Sequence, residues 1–239
     1  MLYSLIHPGS GLGNQLFRYV AGRVLANDRF DDYSAIGREN FKGKSFMNLD
    51  FGKENNIQYK IEQPAGKIVI TDPNIKGYIV DDEFQSPLYW EHSLDEVDHW
   101  LKVEPIDVPE DLCVIGFRGG EFYVFPELGL PKEYFDKGIE MMREINPNMK
   151  FEVHTDDPEL AQKFFPDFKV IRDIGINWRS MRYAKYAIIA NSSFYILPRI
   201  LNGGNTIAPR FWARHNTKEW SRPDNYYRPF TYIHASDTN

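Results

Sequence analysis

Short apolar runs alternate along this chain with stretches whose apolar residues recur every three or four positions, the pattern of strands and helices in turn. Residues 2–6 form the first apolar run, and it empties into the turn-rich Pro8-Gly9-Ser10-Gly11-Leu12-Gly13. Such a run followed by glycines predicts a strand and a loop. A helix is expected next, with Asn14 as its cap and Leu16, Phe17, Val20, Ala21, Val24 and Leu25 along one face. Residues 27–63 show no sustained period. Beyond them, 67–71 and 77–80 read as strands, and 86–101 reads as a helix carrying Leu88, Tyr89, Leu94, Val97 and Leu101.

The charged, proline-punctuated stretch 102–110 reads as a linker, which predicts two domains, 1–108 and 109–239. After it the alternation is cleaner. Strands are expected at 112–117, 151–154, 168–171, 187–190 and 206–208, with helices at 132–145, 158–165, 179–186 and 193–201 between them. Strands alternating with helices imply a parallel sheet covered on both faces, hence an α/β fold. The tail from Arg210 is rich in Trp, Tyr, Arg and Pro without a period, and is expected to be irregular.

Composition narrows the function classes. The 239 residues are 42% hydrophobic and 26% charged, ordinary for a globular protein, and the net charge of -6 offers no basic face for nucleic acid or anionic lipid. A phosphate ligand must then be met by local groups. The 15% aromatic share fits either a ring-rich core or rings that stack on sugars. The single cysteine, Cys113, lies in an apolar run and excludes an internal disulfide or a cysteine zinc cluster. No run approaches the roughly 20 apolar residues that span a bilayer. With no basic, apolar leader at Met1, a cytoplasmic protein is expected.

Ligands of open α/β sheets bind beyond the carboxyl ends of the strands, so four loops matter most. Gly9-Ser10-Gly11-Leu12-Gly13-Asn14-Gln15 offers close backbone approach and free amides, or a plain tight turn; Asn14 stands where a dinucleotide motif has its third glycine. Arg118-Gly119-Gly120-Glu121 puts an arginine at a strand end with room beside it. A guanidinium there grips a diphosphate or pairs with a neighbouring acid. His154-Thr155-Asp156-Asp157 brings hydrogen-bonding groups to a helix start, as ligand contacts or as caps; a single acid pair is poor material for a metal site. Asn191-Ser192-Ser193-Phe194 places two hydroxyls at a helix N-terminus, a seat for phosphate.

In this order, Gly11-Leu12-Gly13-Asn14-Gln15-Leu16-Phe17, the Arg118 segment, and Ile188-Ile189-Ala190-Asn191-Ser192-Ser193-Phe194 followed by Ile207-Ala208-Pro209 resemble the α-1,2-fucosyltransferases, glycosyltransferase family 11. Weaker echoes are Phe84-Gln85-Ser86 with Tyr89, and Thr155-Asp156-Asp157 for the family's Ser-Asp-Asp. The family's arginine motif, His-x-Arg-Arg-Gly-Asp-Tyr, aligns with Gly116 to Phe122, so one arginine is kept and Glu121 replaces the aspartate. An acid of the family's next helix appears here as Asn177, ahead of Met181.

The resemblance implies two Rossmann-like domains facing a cleft, the GT-B architecture, and inverting, metal-independent transfer of fucose from GDP-fucose to a glycan hydroxyl. Apart from that donor substrate it implies no cofactor. On this reading Arg118, Ser192 and Ser193 bracket the diphosphate, with Asn191 and Phe194 in the same turn. His154, Thr155 and Asp156 line the nucleotide. Gly11, Gly13, Asn14 and Gln15 approach from the first domain, the acceptor side, and Glu121 takes the acceptor proton. Two alternatives remain open: an inactive glycan- or nucleotide-binding relative, and an NAD enzyme suggested by the first glycine loop alone.

Overall fold

A computed structural model of the chain describes residues 1–125, 127–212 and 225–238. It divides into two compact units, Met1–Val103 and Glu104–Asn239. The division falls within the proline-punctuated stretch.

The first unit contains β1 (Leu2–Leu5), α1 (Leu12–Asp28), β2 (Tyr33–Ile36), β3 (Tyr59–Glu62), β4 (Lys67–Ile70), β5 (Tyr78–Val80) and α2 (Leu94–Trp100). Its parallel sheet has the order β2-β1-β5, while β3 and β4 pair antiparallel as a separate ribbon. The stripe of α1 is buried as its periodicity predicts, with Leu16, Phe17, Val20, Ala21 and Val24 inside. Gly22 brings the helix close to the sheet: a Cβ there would meet Ser4 Cβ at 2.9 Å and the Tyr33 ring at 3.0 Å.

Two expectations for this unit are corrected. Helix α1 begins at Leu12 with Gly11 as its N-cap residue and no side-chain cap, so Asn14 lies inside the first turn and does not cap it. The helix expected over 86–101 is broken into 3-10 turns at Pro87–Tyr89 and Glu91–Ser93 before α2. The cause is Trp90, whose backbone takes φ -151°. Its indole turns inward against Phe17 and donates to the Phe84 carbonyl at 3.3 Å.

The second unit runs β6 (Leu112–Phe117), α3 (Glu121–Val124), α4 (Lys132–Ile145), β7 (Lys150–Thr155), α5 (Pro158–Phe164), β8 (Lys169–Ile171), α6 (Ile174–Tyr183), β9 (Tyr186–Ile189), α7 (Ser193–Asn202), β10 (Asn205–Pro209) and β11 (Phe230–Ile233). All neighbours in its six-stranded sheet, β11-β10-β9-β6-β7-β8, are parallel. The first strand therefore lies in the middle and the chain winds outward to both sides, the doubly wound Rossmann order. The tail is not wholly irregular. Its β11 extends the sheet with Thr206 opposite Phe230, and the stretch 213–224 lies outside the described residues. Helix α6 starts earlier than its periodicity suggests because the Asp173 carboxylate accepts from the Ile176 amide at 2.7 Å and caps it.

Much of the aromatic share belongs to this core. Phe117 packs against Tyr123, Phe135, Phe164 and Phe165 with ring centroids 5.0 to 5.7 Å apart. Cys113 is fully buried, and burial pushes its thiol well up from the usual range, so it behaves as a small apolar residue.

Arg199 is buried too, and among the described residues no carboxylate pairs with it. Its guanidinium donates to the carbonyls of Met181 at 2.9 Å, Ala184 at 2.6 Å and Asn205 at 3.3 Å, and to Thr206 Oγ1 at 2.8 Å. Two of those carbonyls belong to the C-terminal end of α6, where the helix dipole favours a cation. Desolvation lowers its pKa to about 10, which leaves it charged at neutral pH. Arg199→Met should strand these carbonyls and cost about 3 kcal/mol or more. Urea denaturation at neutral pH measures the loss, and a change under about 1 kcal/mol would contradict a structural role.

Candidate functional site

The site is defined by the sheet order. Strand β6 has β7 on one side and β9 on the other, so the connections from β6 and β9 leave toward opposite faces and a crevice opens at their carboxyl ends. Gly116 is in register with Ile189, and the Ala190 amide donates to the Gly116 carbonyl at 2.8 Å. Arg118 and Asn191 each follow that pair by two residues. The loops chosen from the sequence thus emerge from adjacent strands.

Tyr195 fixes this juxtaposition. A Cβ at Gly116 would meet the Tyr195 ring at 2.8 Å and the Met181 methyl at 2.9 Å, so the residue aligned with the family's histidine must be glycine here. The Tyr195 hydroxyl donates to the Phe117 carbonyl at 3.1 Å, with the His154 carbonyl at 3.4 Å. Burial pushes this phenol well up from its ordinary range and keeps it a donor.

At the start of α7, Ser192 is the N-cap residue and its hydroxyl accepts from the Phe194 amide at 3.4 Å. The half-buried Ser193 makes no hydrogen bond through its amide or hydroxyl among the described residues, which leaves two donors at the positive end of a ten-residue helix. Phe194 packs edge-on against Tyr195 at 5.2 Å. Asn191, expected in the same turn, is buried, and its amide donates to the carbonyls of Leu128 at 3.0 Å and Trp212 at 2.6 Å, stitching flanking loops together.

After β6, Arg118 is one-quarter exposed and held by two acids. One Nη pairs with Asp156, and the other donates to Glu121 Oε1 at 2.9 Å. Phe122 lies beneath the guanidinium at 5.2 Å. The next two amides are also taken by carboxylates: Gly119 N–H by Asp156 Oδ1 at 2.9 Å and Gly120 N–H by Asp157 Oδ2 at 3.1 Å. The other Asp157 oxygen caps α5 through the Leu160 amide at 3.1 Å. Both glycines are required, since a Cβ at Gly119 would strike Asp157 Cβ at 2.4 Å and Gly120 has φ +51°. Arg118, Glu121 and Asp156 therefore form one charged cluster.

His154 and Thr155, expected to line the nucleotide, are both buried. His154 is fully buried, with Nε2 2.9 Å from Glu152 Oε1 and Nδ1 3.0 Å from Asn177 Oδ1. Asn177 Nδ2 donates to the Thr155 carbonyl at 3.2 Å, which fixes the amide's orientation, so both ring nitrogens face acceptors. Thr155 is buried and its hydroxyl accepts from the Asp157 amide at 3.0 Å. These residues brace the loop that carries Asp156.

The first unit's glycine loop holds the residues expected on the acceptor side. Gln15 is fully buried and spent internally: Nε2 donates to the carbonyls of His7 at 2.8 Å and Asn40 at 3.1 Å, while Oε1 accepts from Lys42 N–H at 3.0 Å. Gly13 is buried in the first turn of α1. Gly11 has open space around it, whereas a Cβ at Gly9 would lie 2.0 Å from the Ala65 carbonyl oxygen. Close packing thus falls on Gly9. Asn14 is half-buried and accepts from Gln85 at 3.2 Å.

A polar cluster at the carboxyl edge of β1 and β5 escaped the sequence reading. Arg18, buried on α1, donates to the Asp82 carbonyl at 3.0 Å, Ser10 Oγ at 2.9 Å and Glu83 Oε1 at 3.0 Å. His7 Nδ1 accepts from Ile68 N–H at 2.7 Å, which puts the proton on Nε2 facing Asp81 at 2.8 Å. The available signals were Arg18 on an apolar helix face and three acids, Asp81, Asp82 and Glu83, directly after a strand.

A groove of about 690 Å³ is elsewhere. It lies between α4 and the turn from Phe164 to Phe168 that leads into the amino end of β8. Among the described residues, no three His, Cys, Asp or Glu side chains gather as a metal site, and no helix is long and apolar enough to cross a membrane.

No protein-family model matches the chain, and no curated protein does. Solved structures do. NodZ α-1,6-fucosyltransferase soaked with GDP-fucose aligns with a TM-score of 0.51 at 11% identity, over 94% of this chain and 99% of that one. The same enzyme co-crystallised with GDP gives 0.49 at 12% identity, over 95% and 99%. E. coli heptosyltransferase WaaC with ADP gives 0.47 at 11%, over 98% and 93%. At such identities the likeness concerns the fold alone: an α/β chain of two units, each with a parallel sheet, as in the fucosyltransferase NodZ.

The bracing of the β7 loop predicts an acid response. The hydrogen bond from His154, reinforced by Lys169, lowers the Glu152 pKa from 4.5 to about 2. A depressed carboxyl stabilises the fold above its unfolded value, and that contribution is lost as pH falls from 4.5 toward 2. Glu152→Gln should flatten stability across that window by roughly 1 kcal/mol, after allowance for solvent screening. Denaturation curves collected at successive pH values test this, and identical slopes for both proteins would refute it.

Proposed function

We propose that the chain is a glycosyltransferase that takes GDP-fucose as donor and a glycan hydroxyl as acceptor. The observation that carries this reading is the placement of Arg118 and the Ser192-Ser193 turn on adjacent strand ends, at the switch point of the second unit's sheet. NodZ, whose fold it shares, was studied with GDP-fucose. The motifs shared with the α-1,2-fucosyltransferases favour that linkage.

On this proposal residues 109–239 hold the donor and 1–108 serve the acceptor. As the glycosidic bond breaks, the sugar turns oxocarbenium-like and negative charge grows on the departing diphosphate. The Arg118 guanidinium and the Ser193 donors at the N-terminus of α7 stabilise that charge, and inversion follows from attack on the opposite face. No metal or further cofactor is assigned a step. Glu121, two-thirds exposed and 2.9 Å from Arg118, takes the acceptor proton. The pairing of Glu121 with Arg118 also suits a second reading, a relative that binds nucleotide without transfer.

Arg118→Ala should weaken GDP binding about 10- to 100-fold by calorimetry while the melting temperature holds within a few degrees. Unchanged affinity would remove Arg118 from the site. Glu121→Gln should keep donor binding and lower transfer to galactosides about 100-fold or more. Retained turnover removes Glu121 from the mechanism, and GDP binding without any release from GDP-fucose by the parent protein favours the binding-only reading. Thermal-shift measurements with GDP, UDP, CMP and NAD identify the nucleotide, because a ligand of the folded state raises its stability with saturation.

A further inference from the structure

The region that the proposed function gives to a diphosphate is filled by carboxylates of the same chain. Asp156 places one oxygen on Gly119 N–H at 2.9 Å and the other on the Arg118 guanidinium. Asp157 takes Gly120 N–H at 3.1 Å, and Glu121 takes the second Nη of Arg118 at 2.9 Å. One positive side chain thus lies among three negative ones and is paired with two of them, Asp156 and Glu121. Like charges brought this close at a protein surface repel. A diphosphate cannot share Arg118 with Asp156 in this arrangement. One anion must give way.

The two aspartates are not equivalent. Asp157 is tied down, because its second oxygen caps α5 and its own amide donates to Thr155. Asp156 is more than one-third exposed, and among the described residues its carboxylate is held by Arg118 and the Gly119 amide. It can swing into solvent at the cost of those contacts, and a phosphate oxygen would restore both: the fork of Arg118 and the Gly119 amide each accept any anion of this size.

We propose that Asp156 is an intramolecular competitor for the anion seat formed by Arg118 and Gly119, and so sets the affinity and release of the phosphate ligand. The inference rests on Arg118 as the phosphate ligand of the proposed function. Affinity is reduced by the fraction of molecules in which Asp156 holds the seat. When nucleotide leaves, Asp156 re-engages Arg118, so the charge is never exposed unpaired and release is assisted.

The test uses inorganic pyrophosphate as the anion and GDP as the nucleotide, titrated into the full chain by calorimetry. Asp156→Asn is nearly isosteric and keeps an oxygen for Gly119 N–H, but turns an amide donor toward Arg118 and unseats it. The expected result is pyrophosphate binding at least about tenfold tighter than in the parent, a gain abolished when Arg118→Ala is added. Equal or weaker binding by a variant with the parent's melting temperature overturns the proposal, as does an absence of pyrophosphate binding in both proteins.

If the variant fails to fold, the amide resonances of Gly119 and Gly120 decide in the parent. A shift of the Gly119 resonance larger than that of Gly120 at saturating pyrophosphate supports exchange at Asp156, and an unmoved Gly119 signal refutes it. The two readings fail separately. GDP binding no tighter than pyrophosphate, with the Asp156→Asn gain intact, defeats the nucleotide assignment alone. GDP-selective binding that ignores Asp156 defeats the competitor alone.

Discussion

The contact between the Tyr195 ring and the bare backbone at Gly116 governs the geometry of the candidate site. Any side chain at position 116 would collide with that ring, and any smaller residue at 195 would open a void against the middle strand. Because Tyr195 also donates to the carbonyl that ends β6, it ties the first turn of α7 to the point where the chain leaves the sheet toward Arg118. The two loops with the richest chemistry are thereby set side by side before any ligand is considered. The ring cluster around Phe117 holds the same strand end from the α4 and α5 side.

The second unit treats its two best-placed arginines in opposite ways. Arg199 is sealed from water and neutralised by carbonyl dipoles at the end of α6, an arrangement with no mobile partner and hence no exchange. Arg118 sits at the surface among carboxylates on flexible stems, where each contact has an equivalent alternative in an incoming anion. Local charge at Arg118 runs against a phosphate, and local geometry runs in favour of one. That opposition is what makes the β7 loop as important to the site as the arginine itself.

Legibility in the sequence followed burial. Strands β6 and β9 are covered on both faces and therefore write apolar runs that are easily found, and the helices α4 and α7 after them were equally plain. Strands β2 and β3, of four residues each, fall in the stretch 27–63 without a sustained period and were not found. The break at Trp90 was invisible because an inward-turning ring reads the same as a helical apolar position. At the site, the places of Arg118 and the serine turn after strands were legible. The burial of Gln15, His154, Thr155 and Asn191 was not, because polar groups that satisfy buried backbone are the same residue types that hold ligands. Arg18 and His7 went unnoticed because their partners lie some 60 to 75 residues away.

The hydrogen bonds described for Arg118, Asp156, Asp157, Asn191, Ser192 and Tyr195 stay within the second unit. The groups proposed to hold phosphate are thus braced by their own sheet and loops, so a change at the Gly116–Tyr195 lock would displace them together.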